Sequence, residues 1–273
     1  MIDEKIAIIG AGNLGAAIAK GIVEKGLADS ENITLTRRDD HALEQFSSIG
    51  FNVTNRNTEA VEKATIVLLC VQPEQMNEVI DEIKPALREN HILVSVMTGI
   101  SIEKIENFID HKCFVIRAMP NTAIAIGESI TCLSAKGESK EAVPRIEMLF
   151  AALGKTLVIE EELMQAATVL GASGVAFFMR YLRAATQGGI QMGFDAKDAQ
   201  LIAVQTAKGA ASLILQHDSH PEVEIDKVTT PKGCTIEGLN EMEHKGFSSA
   251  LIQGIMTSFQ RITTMKKTDN EPL

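Results

Sequence analysis

Glycines at 10, 12 and 15 follow the apolar run Ile6-Ala-Ile-Ile9, and a small-residue helical pattern begins at once in KIAIIGAGNLGAAIAKGI. Strand, glycine turn and helix, in that order, form the frame that a dinucleotide-binding fingerprint requires. Gly10 permits the tight turn, Gly12 lets the backbone approach a pyrophosphate, and Gly15 lets the helix pack close to the strand. Asn13 and Leu14 open that helix, whose first free N–H groups favour phosphate oxygens. The next strand-like run, Ile33-Thr-Leu-Thr36, ends in Thr36-Arg37-Arg38, where an acidic residue normally holds the ribose hydroxyls. Two guanidiniums there suit the extra phosphate of NADP through bidentate hydrogen bonds, which favours NADPH, with NADH second. A solvated charge cluster is the alternative. Asp39 and Asp40 lie past the strand and are expected to cap the following helix.

Later strand ends supply further candidates. Cys70-Val71-Gln72-Pro73, Met97-Thr98-Gly99 and, after Arg117-Ala-Met, Pro120-Asn121 each read singly as an ordinary turn. Together, at one edge of a parallel sheet, they favour a cofactor crevice. In Val228–Asn240, residues Thr229, Thr230, Pro231 and Gly233 make a turn, and a helix starts near Thr235. Free backbone N–H groups at that start suit a small anion, most simply a carboxylate, with hydroxyls added by Thr230 and Thr235. An ordinary capped helix entry is the alternative. Cys70, Cys113, Cys132 and Cys234 show no metal-type spacing, and His217 and His220 sit among surface-loop residues, so no metal is expected.

The elements that must position these residues fall into two halves. Up to residue 160, strand-like runs at Phe51–Thr54, Thr65–Val71, His91–Val96, Cys113–Ala118, Ile130–Ser134 and Lys155–Ile159 alternate with helical patterns. That alternation predicts an α/β fold, a Rossmann-like doubly wound, mostly parallel sheet over residues 1–160. Residues 161–273 read as an all-helical domain, with helices expected over Glu160–Leu170, Gly174–Met192, Asp195–Gln216, Thr235–Lys245 and Phe247–Lys267. Asp195 and Asp198 mark a helix start and Gly246 a helix stop. The apolar residues Val169, Leu170, Val175, Phe177, Phe178 and Leu182 would be too exposed alone, which predicts a homodimer.

Composition narrows the partners. The net charge of −10, with no Trp and one Tyr, argues against nucleic acid. The first strand begins a few residues after Met1, so no signal peptide is expected and the location expected is cytoplasmic. The apolar stretch Ala166–Met179, interrupted by Gly171, Ser173 and Gly174, reads as too short to span a bilayer, so no membrane is expected.

GAGNLG, VQPEQ, RAMPNTA, ATVLGASGVAFF and KVTTPKGCTIEGLNEMEHKGF, in that order, resemble pyrroline-5-carboxylate reductase, the last enzyme of proline biosynthesis. The resemblance spans nearly the whole chain. It implies a Rossmann domain followed by an interlocking helical dimerisation domain, often in dimers that assemble further into a decamer. It also implies NAD(P)H-dependent hydride transfer to the imine carbon of 1-pyrroline-5-carboxylate, giving L-proline. The family's SPGGT loop falls on Thr230-Pro231-Lys232-Gly233-Cys234-Thr235. Thr230 and the N–H groups of Gly233 and Cys234 would then hold the substrate carboxylate, with Lys232 beside it. Thr235 would hydrogen-bond the ring nitrogen and is the catalytic candidate. Asn57 matches an asparagine on the adenosine side, and the loop carrying Pro120 and Asn121 would lie against the nicotinamide.

Five departures accompany the resemblance. Ala123 stands where the family pattern RxMPNTP has its final proline, and Lys232 replaces one of a glycine pair. In the SGSGPAY signature, Gly171 replaces the first serine, while Val175 and Phe177 replace the proline and the tyrosine. Two rival readings remain: a β-hydroxyacid-dehydrogenase-like reductase, and a non-catalytic NADPH-binding protein on the same fold. The first needs a basic lysine on the early helices of the second domain, and Glu160–Met192 contains none. The retained threonines of the Thr230–Thr235 loop argue against the second.

Overall fold

The computed structural model describes residues 4–268. Strands run β1 (Ile6–Ile9), β2 (Ile33–Thr36), β3 (Asn52–Thr54), β4 (Ile66–Leu69), β5 (Ile92–Ser95), β6 (Phe114–Met119), β7 (Ser129–Ala135) and β8 (Gly154–Val158). Helices α1 (Asn13–Glu24), α2 (His41–Ser47), α3 (Asn57–Lys63), α4 (Met76–Ile83), α5 (Ile102–Phe108) and α6 (Val143–Ala151) connect them. The sheet order is β3-β2-β1-β4-β5-β6-β7-β8. The first six strands are mutually parallel, β7 is antiparallel to β6, and β8 follows β7. IAII of β1, IVLL of β4 and ILVS of β5 are buried at every residue, because helices cover both faces of a parallel sheet. Two apolar clusters result, one around Ile8, Ile18 and Phe150, the other around Ile9, Ile80 and Ile105.

By backbone contacts, the described residues up to Ser173 and from Arg261 on form one compact unit, and Gly174–Gln260 another. The helical region begins with a 3-10 turn at Glu161–Leu163, followed by α7 (Met164–Ala167), a π-helical turn at Thr168–Ser173 and α8 (Gly174–Gln191). These join without interruption, which corrects the expected break at Gly171, Ser173 and Gly174. The Thr168 hydroxyl donates to the Met164 carbonyl at 2.8 Å, a back-bond of the kind that distorts helices, and the wide turn absorbs the small residues. The helix Glu161–Gln191 is therefore long and apolar enough, by length and composition, to cross a membrane, and the reading of a stretch too short to do so falls.

Within the second unit, α9 (Ala196–His217) packs along α8, where Gly189 meets Ala199 so closely that a Cβ would stand 2.9 Å from the alanine methyl. Asp195 caps α9 by accepting from the N–H groups of Lys197 and Asp198. A helix α10 (Pro221–Val228) stands where a surface loop was expected, with Pro221 at its first position and His220 as its cap. The HxxH pair thus flanks a helix-to-helix corner: His220 Nδ1 accepts from the Glu222 N–H and His217 faces Glu224. Two more helices follow, α11 (Cys234–His244) and α12 (Phe247–Thr268), separated by Gly246 at φ 78°. Leu170, on the wide turn of the first unit, and Phe178, Met179 and Leu201, in the second, are exposed.

Candidate functional site

Parallel strands put all their C-terminal ends at one edge. The glycine turn after β1, Thr36–Arg38 after β2, Asn57 at the start of α3, Cys70–Pro73 after β4, Met97–Gly99 after β5 and Pro120–Asn121 after β6 share that edge. The strand order reverses between β1 and β4, so the crevice opens beside the glycines.

Gly10 has φ 98°, and a Cβ there would lie 2.6 Å from the Cys70 carbonyl oxygen. A Cβ at Gly15 would lie 2.3 Å from the Gly10 carbonyl oxygen, so only glycine lets α1 approach β1 this closely. Gly12 differs, since a Cβ there would meet nothing within 4 Å. Two glycines are thus required by packing, while the third leaves open backbone at the start of a 12-residue helix. This is the shape that admits a pyrophosphate on the helix N-terminus, so the residues present fit a dinucleotide.

Thr36 ties the edge together. Its buried hydroxyl accepts from the Gly10 N–H at 3.3 Å and donates to Asn57 Oδ1 at 2.6 Å. Glu82 holds Asn57 from the other side, accepting from its backbone N–H and from Nδ2 at 2.9 and 2.7 Å. Arg37 donates to the Ala11 carbonyl at 3.3 Å and lines a cavity of about 370 Å³ with Gly12, Asn13, Lys20 and Phe46. Arg38 reaches the Glu78 carboxylate at 3.1 Å. The Asp39 carboxylate accepts from the His41 N–H, whereas Asp40 makes no cap bond and accepts from Asn55 instead, so only one of the expected pair caps α2. Lys20, Glu78 and Glu82 carry no local sequence signal, because helix spacing alone does not say which residues face a crevice.

After β4, the Cys70 N–H donates to the Ile9 carbonyl, and Gln72 with Gln75 closes a reciprocal cap around Pro73. Val71 touches the glycine turn, its Cγ1 standing 2.9 Å from the place of a Gly10 Cβ. After β5, Met97 is buried, Thr98 is exposed and Gly99 turns the chain at φ 82°. After β6, Pro120 and Asn121 are buried. The Asn121 backbone N–H donates to Ser129 Oγ at 3.1 Å, its Oδ1 accepts from the Ala123 N–H at 2.9 Å, and its Nδ2 donates to the Gly171 carbonyl at 3.1 Å. Behind this loop Arg117 and Lys136 converge on Glu161, at 3.3 and 2.7 Å.

The Thr230–Thr235 loop lies in the second unit and is described by itself. Gly233 caps α11, and its N–H donates to the Thr230 carbonyl at 3.0 Å. That N–H closes the turn, leaving those of Cys234 and Thr235 as the ones the helix start offers an anion. A Cβ on Gly233 would meet Thr230 Oγ1 at 2.4 Å and the Thr230 carbonyl oxygen at 3.0 Å, so a larger residue there must displace the Thr230 side chain. Lys232, at φ 59°, holds the left-handed conformation that the glycine of the family pattern adopts freely. A lysine there costs about 1 kcal/mol in backbone strain. Thr235 is half-buried in the first turn of α11, and Thr230 and Cys234 are exposed.

Comparisons agree across both units. Residues 161–265 match the family model described as pyrroline-5-carboxylate reductase dimerisation, and residues 5–99 match the one described as NADP oxidoreductase, coenzyme F420-dependent. Pyrroline-5-carboxylate reductase 1 of Dictyostelium discoideum is 46% identical over 97% of this chain, which spans half of that relative's length. Pyrroline-5-carboxylate reductase 2 of the same organism is 42% identical, with 95% of this chain and 92% of the relative covered. The solved structure of a pyrroline-5-carboxylate reductase from Coxiella burnetii superposes with a TM-score of 0.89 at 26% identity, covering 96% of this chain and 98% of that one.

Proposed function

Since the chain belongs to the pyrroline-5-carboxylate reductase family, we propose that it reduces the imine carbon of 1-pyrroline-5-carboxylate to give L-proline, with hydride supplied by C4 of NADPH. The observation that carries this reading is the single sheet edge that gathers the open Gly12 backbone, Arg37 and Arg38, Asn57 and the Pro120–Asn121 loop. Gly10, Gly12, Asn13, Leu14 and Gly15 hold the pyrophosphate, and Thr36 keeps Asn57 at the adenosine side. Cys70–Pro73 and Met97–Gly99 wall the crevice, and Pro120 with Asn121 supports the nicotinamide end. Thr230 and the N–H groups of the α11 start bind the substrate carboxylate, with Lys232 adding a cation nearby. Thr235 hydrogen-bonds the ring nitrogen, its hydroxyl oxygen accepting from the N–H of the protonated imine.

A protonated imine is already electrophilic, so the reaction needs orientation more than a strong acid or base. The hydroxyls of Thr230 and Thr235 do not ionise near neutrality, so they position the substrate rather than take up its proton. Two copies form a homodimer through the helical region, a reading supported by the dimerisation match over residues 161–265. The apolar face with Phe178 and Met179 is covered by the partner copy rather than by lipid, and the enzyme works in the cytoplasm without nucleic acid. Dimers assemble further, as in the family.

NADPH oxidation followed by absorbance, with and without 1-pyrroline-5-carboxylate, tests the reading. Imine-dependent oxidation is expected, and oxidation that ignores the imine would overturn it. In the same assay Arg37→Gln/Arg38→Gln is expected to raise the KM for NADPH about 10- to 100-fold, the scale of one charge-assisted hydrogen bond. The KM for NADH should stay within about threefold, which is half a kcal/mol or so. Equal effects on the two would leave the arginines as surface charge.

A further inference from the structure

Two of the departures from the family pattern meet at one side chain. Asn121 is buried, and the two ends of its amide point to different parts of the chain. Its oxygen takes the N–H of Ala123, which opens the 3-10 turn Thr122–Ile126. Its nitrogen gives a hydrogen to the carbonyl of Gly171, in the π-helical turn Thr168–Ser173. An N–H against the oxygen and a carbonyl against the nitrogen fix the amide's orientation, since a flip would oppose donor to donor and acceptor to acceptor. A proline at 123 has no N–H and could not make the first of these bonds. The second ties the loop to the wide turn, through a backbone carbonyl that accepts from outside the helix.

We propose that Asn121 is a positioning residue, clamped between the Ala123 N–H and the Gly171 carbonyl, that fixes the Pro120–Asn121 loop against the wide turn for hydride transfer. The clamp rests on the proposed reductase function for its kinetic consequence, though not for its existence. Ala123 supplies a bond that the proline of the pattern lacks, so this chain holds its loop through the amide where a proline would hold it through ring stiffness. The Ser129 hydroxyl, accepting from the Asn121 backbone N–H, anchors the same residue from β7. A loop so held contributes to orientation at the moment of reaction, so the loss should fall on kcat rather than on cofactor affinity.

The test compares Ala123→Pro, Ala123→Gly and Asn121→Ala. Ala123→Pro is expected to lower kcat about fivefold to tenfold, the scale of one hydrogen bond. The KM for NADPH should change by less than about twofold. Ala123→Gly, which keeps the N–H, should lose much less than Ala123→Pro. Equal kcat for the two Ala123 variants, or a loss confined to the KM for NADPH, would overturn the clamp. Amide exchange by mass spectrometry gives a readout that does not depend on the reaction. Asn121→Ala should speed exchange both in residues 122–127 and in 168–175, and unchanged exchange in 168–175 would overturn the clamp. Wild-type protein without imine-dependent oxidation would defeat the reductase reading alone, leaving the exchange result to decide the clamp.

Discussion

Glu161→Ala is expected to lower the unfolding free energy by about 3–5 kcal/mol, measured by denaturant titration. One oxygen of this carboxylate accepts from the Ile102 N–H at 2.6 Å and from Arg117 at 3.3 Å, and the other accepts from Lys136 at 2.7 Å. Arg117 and Glu161 side chains are only 5% and 8% exposed, so truncation leaves a buried guanidinium unpaired. Arg117 is the under-compensated partner: burial pulls its pKa down more than Glu161 holds it up, and its Nε already has no partner among the described residues. The start of α5 would also lose the acceptor for its first N–H. Burial alone would raise the Glu161 pKa, but the hydrogen bonds from Lys136 and Ile102 and the charge of Arg117 outweigh it and leave it lowered. A lowered carboxylate contributes fully above its ordinary value of 4.5, and that contribution is lost as pH falls through the folded value. The gap between wild type and Glu161→Ala should therefore narrow in acid. A loss below about 1 kcal/mol at neutral pH would place the ion cluster among the weak surface pairs.

Thr235→Ala is expected to lower kcat by one to two orders of magnitude, roughly the scale of one positioned hydrogen bond in a transition state. The residue sits in the first turn of α11, where alanine is a better helix former than threonine, so folding should survive the change. Thermal melting of the variant within a few degrees of wild type separates the two effects. Thr235→Ser keeps the hydroxyl and should recover most of the lost turnover. Turnover of Thr235→Ala within twofold of wild type would remove the threonine from the reaction.

Buried parallel strands were the legible part of the fold. Ile6–Ile9 and Ile66–Leu69 lie within the expected runs, because strands covered on both faces read as unbroken apolar stretches. Edge positions of the candidate site were legible for the same reason: once the strands are parallel, every motif after a strand end arrives at one edge. The pairings Arg38–Glu78 and Asn57–Glu82 were not legible, since they join residues 25 to 40 apart through a fold that no local pattern encodes. Glu161 gathers partners from positions 102, 117 and 136, and nothing near it in sequence marks it out. Helix α10 escaped because half of PEVEIDKV is charged, yet Pro221 at its first position and a capping side chain before it were the available cue. The continuous helix across Gly171–Gly174 escaped because small residues read as a break, whereas a π turn accommodates them.

The four thiols are unequal, and the inequality has a practical use. Burial pushes Cys70 and Cys113 up to about 12 and raises Cys132 as well, so these sulfurs remain protonated and slow toward electrophiles. Cys234 is exposed as the first residue of α11, next to Thr235. A maleimide dye should therefore label one cysteine per chain, and the dye would sit beside the proposed carboxylate pocket. Protection of that label by L-proline or by a small carboxylate would report occupancy of the pocket with no turnover, in a protein whose chemistry is otherwise seen only through its cofactor.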